Sequence, residues 1–311
     1  MQEFLSNLYF SRLCVRIVAK NAYTQIQKGF FMSSNIKLVA LDMDGTLFNH
    51  NSEISKEDAE AIRHITERGI HVVISTGRPF VGLPVELLNS IGIHYAITTN
   101  AAGIYTLPER TCLHADPMEP ELICPILTEL LKKDIHMDAF IHGDAYSQTS
   151  VQKYIDDLIF PDSVKEYIRS TRTFTDDLVG FIREKNLSVE KMTLNFLPNA
   201  DGTFHQREEV KDILRSHPEV EFLSGGFSNL EFTKRGVNKG NGLCILCDIL
   251  GCSIDEALAC GDSQNDLSMI QAAGIGVAMG NASDEVKKAA DFVTLPNEES
   301  GVAYAIHKFV L

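Results

Sequence analysis

The chain has 311 residues, 44% of them hydrophobic, a net charge of −14 and no basic stripe. That length accommodates two domains with cores of their own, and the charge argues against a nucleic-acid partner. No run reaches the roughly 18 apolar residues that a membrane span requires.

Residues 1–31 hold Arg12, Arg16, Lys20 and Lys28 against one acidic residue, Glu3, without the long apolar stretch of a secretory signal. Residues 1–34 are expected to be an extension dispensable for the fold. Structure begins at Ile36-Lys37-Leu38-Val39-Ala40-Leu41, an apolar run that reads as a buried strand. It ends at Asp42-Met43-Asp44-Gly45-Thr46-Leu47. Asp and Gly are ordinary turn formers, so a surface turn is the plain reading. Yet ligands of open α/β sheets bind at the carboxyl ends of strands. Two carboxylates held there invite a cation, and one could attack an electrophile while the other handles the proton.

Ser55 and Asp58 form a candidate capping box that opens a helix through Arg68, with Gly69 ending it. The strand Ile70–Ile74 follows and leads into Ser75-Thr76-Gly77-Arg78-Pro79. This βαβ start implies a parallel sheet. Tyr95–Thr98 is a further core strand, ending at Thr99-Asn100-Ala101-Ala102-Gly103. Residues 117–226 then interrupt the pattern. Helical stretches at Glu119–Lys133, Val151–Phe160 and Phe204–Ser216 alternate with β-like runs at Met137–His142 and Met192–Leu197. Pro125 is expected to break or kink the first of these helices.

The core resumes with Gly236-Val237-Asn238-Lys239-Gly240, which sets a lysine at a helix start. A cation there opposes the helix dipole, so a compensating anion is expected. Cys244 and Cys247, with Cys252 and Cys260 nearby, suggest zinc at first sight. The pair lies in a helical pattern, however, and buried reduced thiols in a cytoplasmic protein are the expectation. The strand Ala257–Cys260 ends at Gly261-Asp262-Ser263-Gln264-Asn265-Asp266, and a helix at Ser300–Phe309 closes the chain. The fold class is α/β, a doubly wound parallel-sheet core with an inserted α+β unit.

Four motifs in order, DMDGTL, STGR, the GVNKG lysine and GDSQND, resemble those of the haloacid dehalogenase superfamily, and more narrowly its Cof-like phosphatases with a class IIB cap. The resemblance covers nearly everything from Ile36 onward. It implies a catalytic core of residues 35–116 and 227–311 and a specificity-setting cap of 117–226. Family members commonly begin a few residues before the first strand, as a start at Met32 would do. The resemblance further implies a Mg²⁺-dependent phosphomonoesterase acting on small phosphorylated metabolites such as sugar phosphates, FMN or pyridoxal phosphate. Asp42 would be the nucleophile that becomes an aspartyl-phosphate, and Asp44 the acid and then the base. The metal would be held by the Asp42 carboxylate, the Asp44 backbone carbonyl and the Asp262 carboxylate. Thr76, Gly77, Lys239 and Asn265 would bind the phosphoryl group, with Thr46, Arg78 and Asp266 bracing them. Ala101 departs from the family's Asn-Gly-Ala pattern. Asp138, His142 and Asn195 are candidates for inward-facing cap positions. The alternatives are a phosphohexomutase of the phosphomannomutase type and a metabolite-binding regulator without turnover. The expected oligomeric state is a monomer or a homodimer.

Overall fold

A computed structural model describes residues 35–224 and 229–311, and the expected extension at 1–34 lies outside them. An eight-stranded sheet runs in the order β14-β13-β12-β1-β2-β3-β4-β5. Its strands are β1 (Leu38–Leu41), β2 (His71–Ser75), β3 (Tyr95–Thr98), β4 (Gly103–Thr106), β5 (Cys112–Ala115), β12 (Ala257–Gly261), β13 (Ile275–Ala278) and β14 (Phe292–Val293). From β14 to β3 all pairings are parallel; β4 and β5 fold back antiparallel.

The central strands are apolar along their whole length because both faces are covered. Helices Lys56–Glu67 and Gly301–Phe309 pack on one face, and Lys239–Leu250 with Leu267–Ala272 on the other. The first helix starts on the expected Ser55 cap, whose hydroxyl accepts from the Asp58 N–H at 3.0 Å. Sequence-consecutive β2 lies on one side of β1 and β12 on the other. That reversal opens a crevice at the strands' carboxyl ends, the usual ligand position in such folds. This is the doubly wound, Rossmann-like core expected from the sequence.

A six-stranded sheet, β10-β11-β9-β6-β7-β8, forms the inserted unit. It comprises β6 (His136–Ile141), β7 (Asp144–Gln148), β8 (Arg172–Thr175), β9 (Lys191–Asn195), β10 (Val220–Leu223) and β11 (Asn229–Lys234). Helices Pro120–Leu130, Leu178–Glu184 and Arg207–Arg215 cover one face with a core of their own. Asp116 and Lys234, where the chain leaves and re-enters the main sheet, are ion-paired at 2.6 Å.

Three expectations need correction. The insertion does not end at 226, because Asn229–Lys234 pairs with β9 and β10. Leu230 and Phe232 on its alternate positions belong to the inserted core, the pattern of a half-buried antiparallel strand. Val151–Phe160 is not an α-helix. Tight 3₁₀ turns cover Thr149–Asp157, and the helix starts only beyond Pro161, at Asp162–Thr171. Proline restricts the residue before it to extended conformations, which separates the two segments. Pro125, finally, does not break the helix, which runs through it as Pro120–Leu130. It removes one hydrogen bond, while burial of Ile123, Ile126, Leu127 and Leu130 holds the helix in place.

Candidate active site

Asp42 continues the ladder of β1, its N–H donating to the Cys260 carbonyl at 3.0 Å, so its carboxylate is fixed at the crevice between β1 and β12. Gly45 has φ +90°, and a Cβ on it would meet the Asp262 carboxylate oxygen at 2.7 Å. Only glycine allows both that turn and that approach. Thr46 then donates its hydroxyl to Asp262 Oδ1 at 2.8 Å. The motifs after β1 and β12 are thereby joined.

Lys239 is fully buried at the first turn of Lys239–Leu250, whose cap is the Asn238 side chain. Its ammonium donates to Asp42 Oδ1 and to Asp266 Oδ1, both at 2.6 Å. The compensating anion expected at this helix start is thus a pair of carboxylates. Burial pulls the ammonium pKa down, but Asp266 and Asp42 outweigh it and the net shift is upward. The other oxygen of Asp266 accepts the Asp262 and Ser263 N–H groups at 3.0 and 2.9 Å. Asp266 therefore braces Lys239 and the β12 loop, and has no oxygen left over.

Three carboxylates around one ammonium leave an excess of negative charge. Burial, then the charge of Asp266, pushes Asp42 well above the usual carboxylate range. Burial and Asp266 likewise push Asp262 up to about 6. Ligand oxygens of Asp42, Asp262 and Asp266 come within 4.8 Å of one another. Since Asp266 is already engaged, Asp42 and Asp262 are the carboxylates that a hard divalent cation would use, and the excess charge fits one.

Arg78 grips Asp44 with two hydrogen bonds, Nε to Oδ2 at 2.8 Å and a terminal nitrogen to Oδ1 at 2.5 Å. It also donates to the Gly82 carbonyl at 3.2 Å. Bracing of the loop, expected for Arg78, here includes direct aim of Asp44. The Thr76 hydroxyl accepts the Arg78 N–H at 3.1 Å, which leaves its own proton free to donate. Asn265 spends an amide proton on Asn100 Oδ1 at 3.2 Å. Asp42, Asp44, Thr76, Gly77, Arg78 and Asn265 line one cavity of about 380 Å³. Asp262, Thr46, Lys239 and Asp266 are not among its lining residues, and Lys239 meets it through its bond to Asp42.

Sequence reading missed most of the opposite wall. Asp138 and Asn195 line it, but His142 does not; it sits in the β6–β7 turn with its carbonyl on Arg110 at 2.6 Å. Arg172, Lys191, Thr193 and Glu231 join them. Lys191, 2% exposed, donates to the Gly77 carbonyl at 2.6 Å and pairs with Glu231 at 2.7 Å. Glu231 in turn accepts from Asn100 at 3.1 Å. The available signal was parity: HMDAF and KMTLN alternate apolar residues with chemically active ones.

Among known proteins, the model of haloacid dehalogenase-like hydrolases matches residues 39–306. The 5-amino-6-(5-phospho-D-ribitylamino)uracil phosphatase YcsE of Bacillus subtilis is 34% identical, over 89% of this chain and 97% of its own. A haloacid dehalogenase-like hydrolase structure from B. subtilis superposes with a TM-score of 0.74 at 29% identity, covering 89% of this chain and 100% of that one. The subclass IIB sugar phosphatase BT4131 gives 0.71 at 26% identity, over 88% and 98%. Among the described residues, no helix is long and apolar enough to cross a membrane. The chain belongs to the haloacid dehalogenase-like hydrolases and is a phosphatase of phosphorylated small molecules.

Proposed function

We propose that this haloacid dehalogenase-like hydrolase is a Mg²⁺-dependent phosphomonoesterase that works through an aspartyl-phosphate on Asp42. Its substrates are small phosphorylated metabolites, with sugar phosphates, FMN and pyridoxal phosphate as the classes to compare. One observation carries the reading: Asp42 faces the cavity with one oxygen held by a buried lysine that is itself locked by Asp266. A nucleophile needs this fixed aim, since like charges oppose its approach to a phosphate.

Asp42 attacks phosphorus in line, and the bond to the leaving oxygen breaks with its electron pair on that oxygen. Asp44, aimed by Arg78, supplies the proton the leaving alkoxide needs. Asp44 then takes a proton from the water that cleaves the aspartyl-phosphate, so the enzyme is regenerated. Lys239, the Thr76 hydroxyl, the Gly77 N–H and Asn265 stabilise the phosphoryl oxygens as their charge redistributes. The Asp42 and Asp262 carboxylates and the Asp44 carbonyl would hold the divalent cation, which would supply Lewis-acid neutralisation of the phosphate. The inserted sheet, over the cavity, selects the leaving group. A cytoplasmic location belongs to the same proposal and rests on thiol chemistry alone.

Asp42→Asn is expected to abolish Mg²⁺-dependent phosphate release while leaving the circular dichroism spectrum intact. Unchanged release in that variant would end the mechanism. Incubation with a hexose phosphate separates the mutase alternative, which would return an isomer without free phosphate.

A further inference from the structure

Three consecutive residues in the turn after β3 carry left-handed backbones: Thr99 at φ 51°, Asn100 at 58° and Ala101 at 84°. L-residues visit that region singly and at a cost, which is highest for a β-branched side chain such as threonine. All three are buried, so no exposed turn relieves the strain. Backbone strain of this kind persists where surrounding contacts over-determine it, and it gathers at functional sites. The contacts here run to the loop that would hold the phosphoryl group. Thr99 and Asn100 donate their N–H groups to the Arg78 and Thr76 carbonyls, at 3.0 and 3.1 Å. Asn100 Oδ1 lies so near Gly77 that a Cβ there would stand 3.3 Å away.

The Asn100 side chain joins segments that are far apart in sequence. Its amide nitrogen donates to Glu231 Oε2 at 3.1 Å, and its Oδ1 accepts from Asn265 at 3.2 Å. Reversing the amide would set its oxygen against the Glu231 carboxylate, so charge fixes its orientation. Glu231 is itself held by buried Lys191 at 2.7 Å. Asn265 accepts the Ser263 hydroxyl on its own oxygen at 2.6 Å. One of its amide protons goes to Asn100, which leaves the other for the cavity that Asn265 lines. Asn100 does not line that cavity, so it can act on a phosphoryl group only through a neighbour.

We infer that Asn100 is a positioning residue for phosphoryl transfer, one that fixes the aim of the Asn265 amide and, through Glu231, ties that aim to the inserted sheet. This rests on the phosphomonoesterase reading above, in which Asn265 binds the phosphoryl oxygens. The position asks for a left-handed backbone, a donor and an acceptor at once. Asparagine supplies all three. Aspartate lacks the donor, and glycine lacks the side chain.

The test measures kcat and KM for p-nitrophenyl phosphate with Mg²⁺. Asn100→Asp keeps the acceptor but faces Glu231 with a second carboxylate, and kcat should fall at least about tenfold. Adding Glu231→Gln reverses the bond, because the new amide donates to the new carboxylate while its oxygen still accepts from Lys191. Asn100→Asp/Glu231→Gln should return kcat to within about threefold of wild type, a rescue that a general loss of packing would not show. Asn100→Gly suits the left-handed backbone, so the circular dichroism spectrum should be kept while kcat again falls at least about tenfold. Asn265→Ala should cost as much, and combining it with Asn100→Gly should cost no more. Turnover near wild type in Asn100→Gly or in Asn265→Ala, multiplied losses in their combination, or no rescue in a folded swap variant would overturn the inference. Calorimetric binding of orthovanadate with Mg²⁺ needs no turnover. It should weaken at least about tenfold in Asn100→Gly and recover in the swap, and unchanged affinity in Asn100→Gly would overturn the inference as well. Failure of wild type to release phosphate from any ester would instead sink the phosphatase mechanism, and the vanadate titration would still decide the role of Asn100.

Discussion

Replacing Lys239 by methionine asks what allows Asp42 and Asp266 to share a buried site. Methionine is apolar and of similar length, so the packing loss is small. Both 2.6 Å contacts disappear, and two buried carboxylates are left without their cation. Removing one member of a buried ion pair costs about 3–5 kcal/mol. At about 2–4 °C per kcal/mol for a protein of this size, melting should fall by roughly 6–20 °C at pH 7. Asp42, already raised by burial, can relax only by binding a proton. Its folded pKa then lies further above the unfolded one, so stability is retained at low pH and lost as pH rises through the folded value. The deficit should therefore shrink by up to about 1.4 kcal/mol per pH unit towards acid. Lys239→Met/Asp266→Asn, with one charge fewer, should recover much of the melting temperature but none of the activity. Scanning calorimetry from pH 5 to 8, paired with phosphate-release rates, measures all of this. A single variant melting within about 2 °C of wild type, with no pH trend in the difference, would refute the electrostatic reasoning.

Three further outcomes follow from close approaches and burial. Gly45→Ala combines a φ of +90° with collision against Asp262, so the Mg²⁺ concentration for half-maximal activity should rise at least about tenfold; an unchanged activation curve would contradict the assigned cation site. Gly242 faces Ala101 so closely that a Cβ would overlap the alanine methyl, and Ala101 itself has φ +84°. Gly242→Ala should cost about 1–3 kcal/mol, and the swap Gly242→Ala/Ala101→Gly should recover most of it in denaturant melts. Glu190 is buried under the Tyr105 hydroxyl, and burial raises its carboxyl above the usual range. Stability from that group is full below the unfolded pKa and is lost as pH rises through the folded one. Glu190→Gln should therefore gain on wild type between acid and neutral pH in thermal melts, and a pH-independent difference would rule this out.

The core was legible because its signals are local. A buried parallel strand is a continuous apolar run, and the residues just beyond β1, β2 and β12 land in the crevice whatever the rest of the chain does. Asp42, Thr76 and Asp262 could be read that way, as could the anion expected beside Lys239. The identity of that anion could not. Asp42 and Asp266 reach it from the segments that follow two strands, 197 and 27 residues away in sequence. Nor could the fate of Asp44, which rotates to Arg78 on a different loop. The end of the insertion was misread because residues 229–234 carry a polar-apolar alternation that either sheet could have accepted. Pairing with β9 decided it, and pairing is a property of two strands at once.

The cavity's roof shows the same limit from the opposite side. Parity in HMDAF and KMTLN identifies which residues share a face, but a polar face is ordinarily read as the wet one. Burial changes its meaning, and burial arises only when the insertion folds down onto the core. The seams of that closure are specific. Lys191 holds the Gly77 carbonyl, Asn100 bridges Glu231 to Asn265, and Tyr167 rests where Gly82 lacks a Cβ, beside the loop from which Arg78 aims Asp44. The groups that would sense a leaving group are thus bonded to the loops that would hold the phosphoryl group and deliver its proton. A leaving group that seats badly against this roof would strain the same contacts that position Gly77 and Arg78. Poor substrates should then lose turnover as well as affinity, because remote binding energy is spent on alignment at the reacting phosphorus.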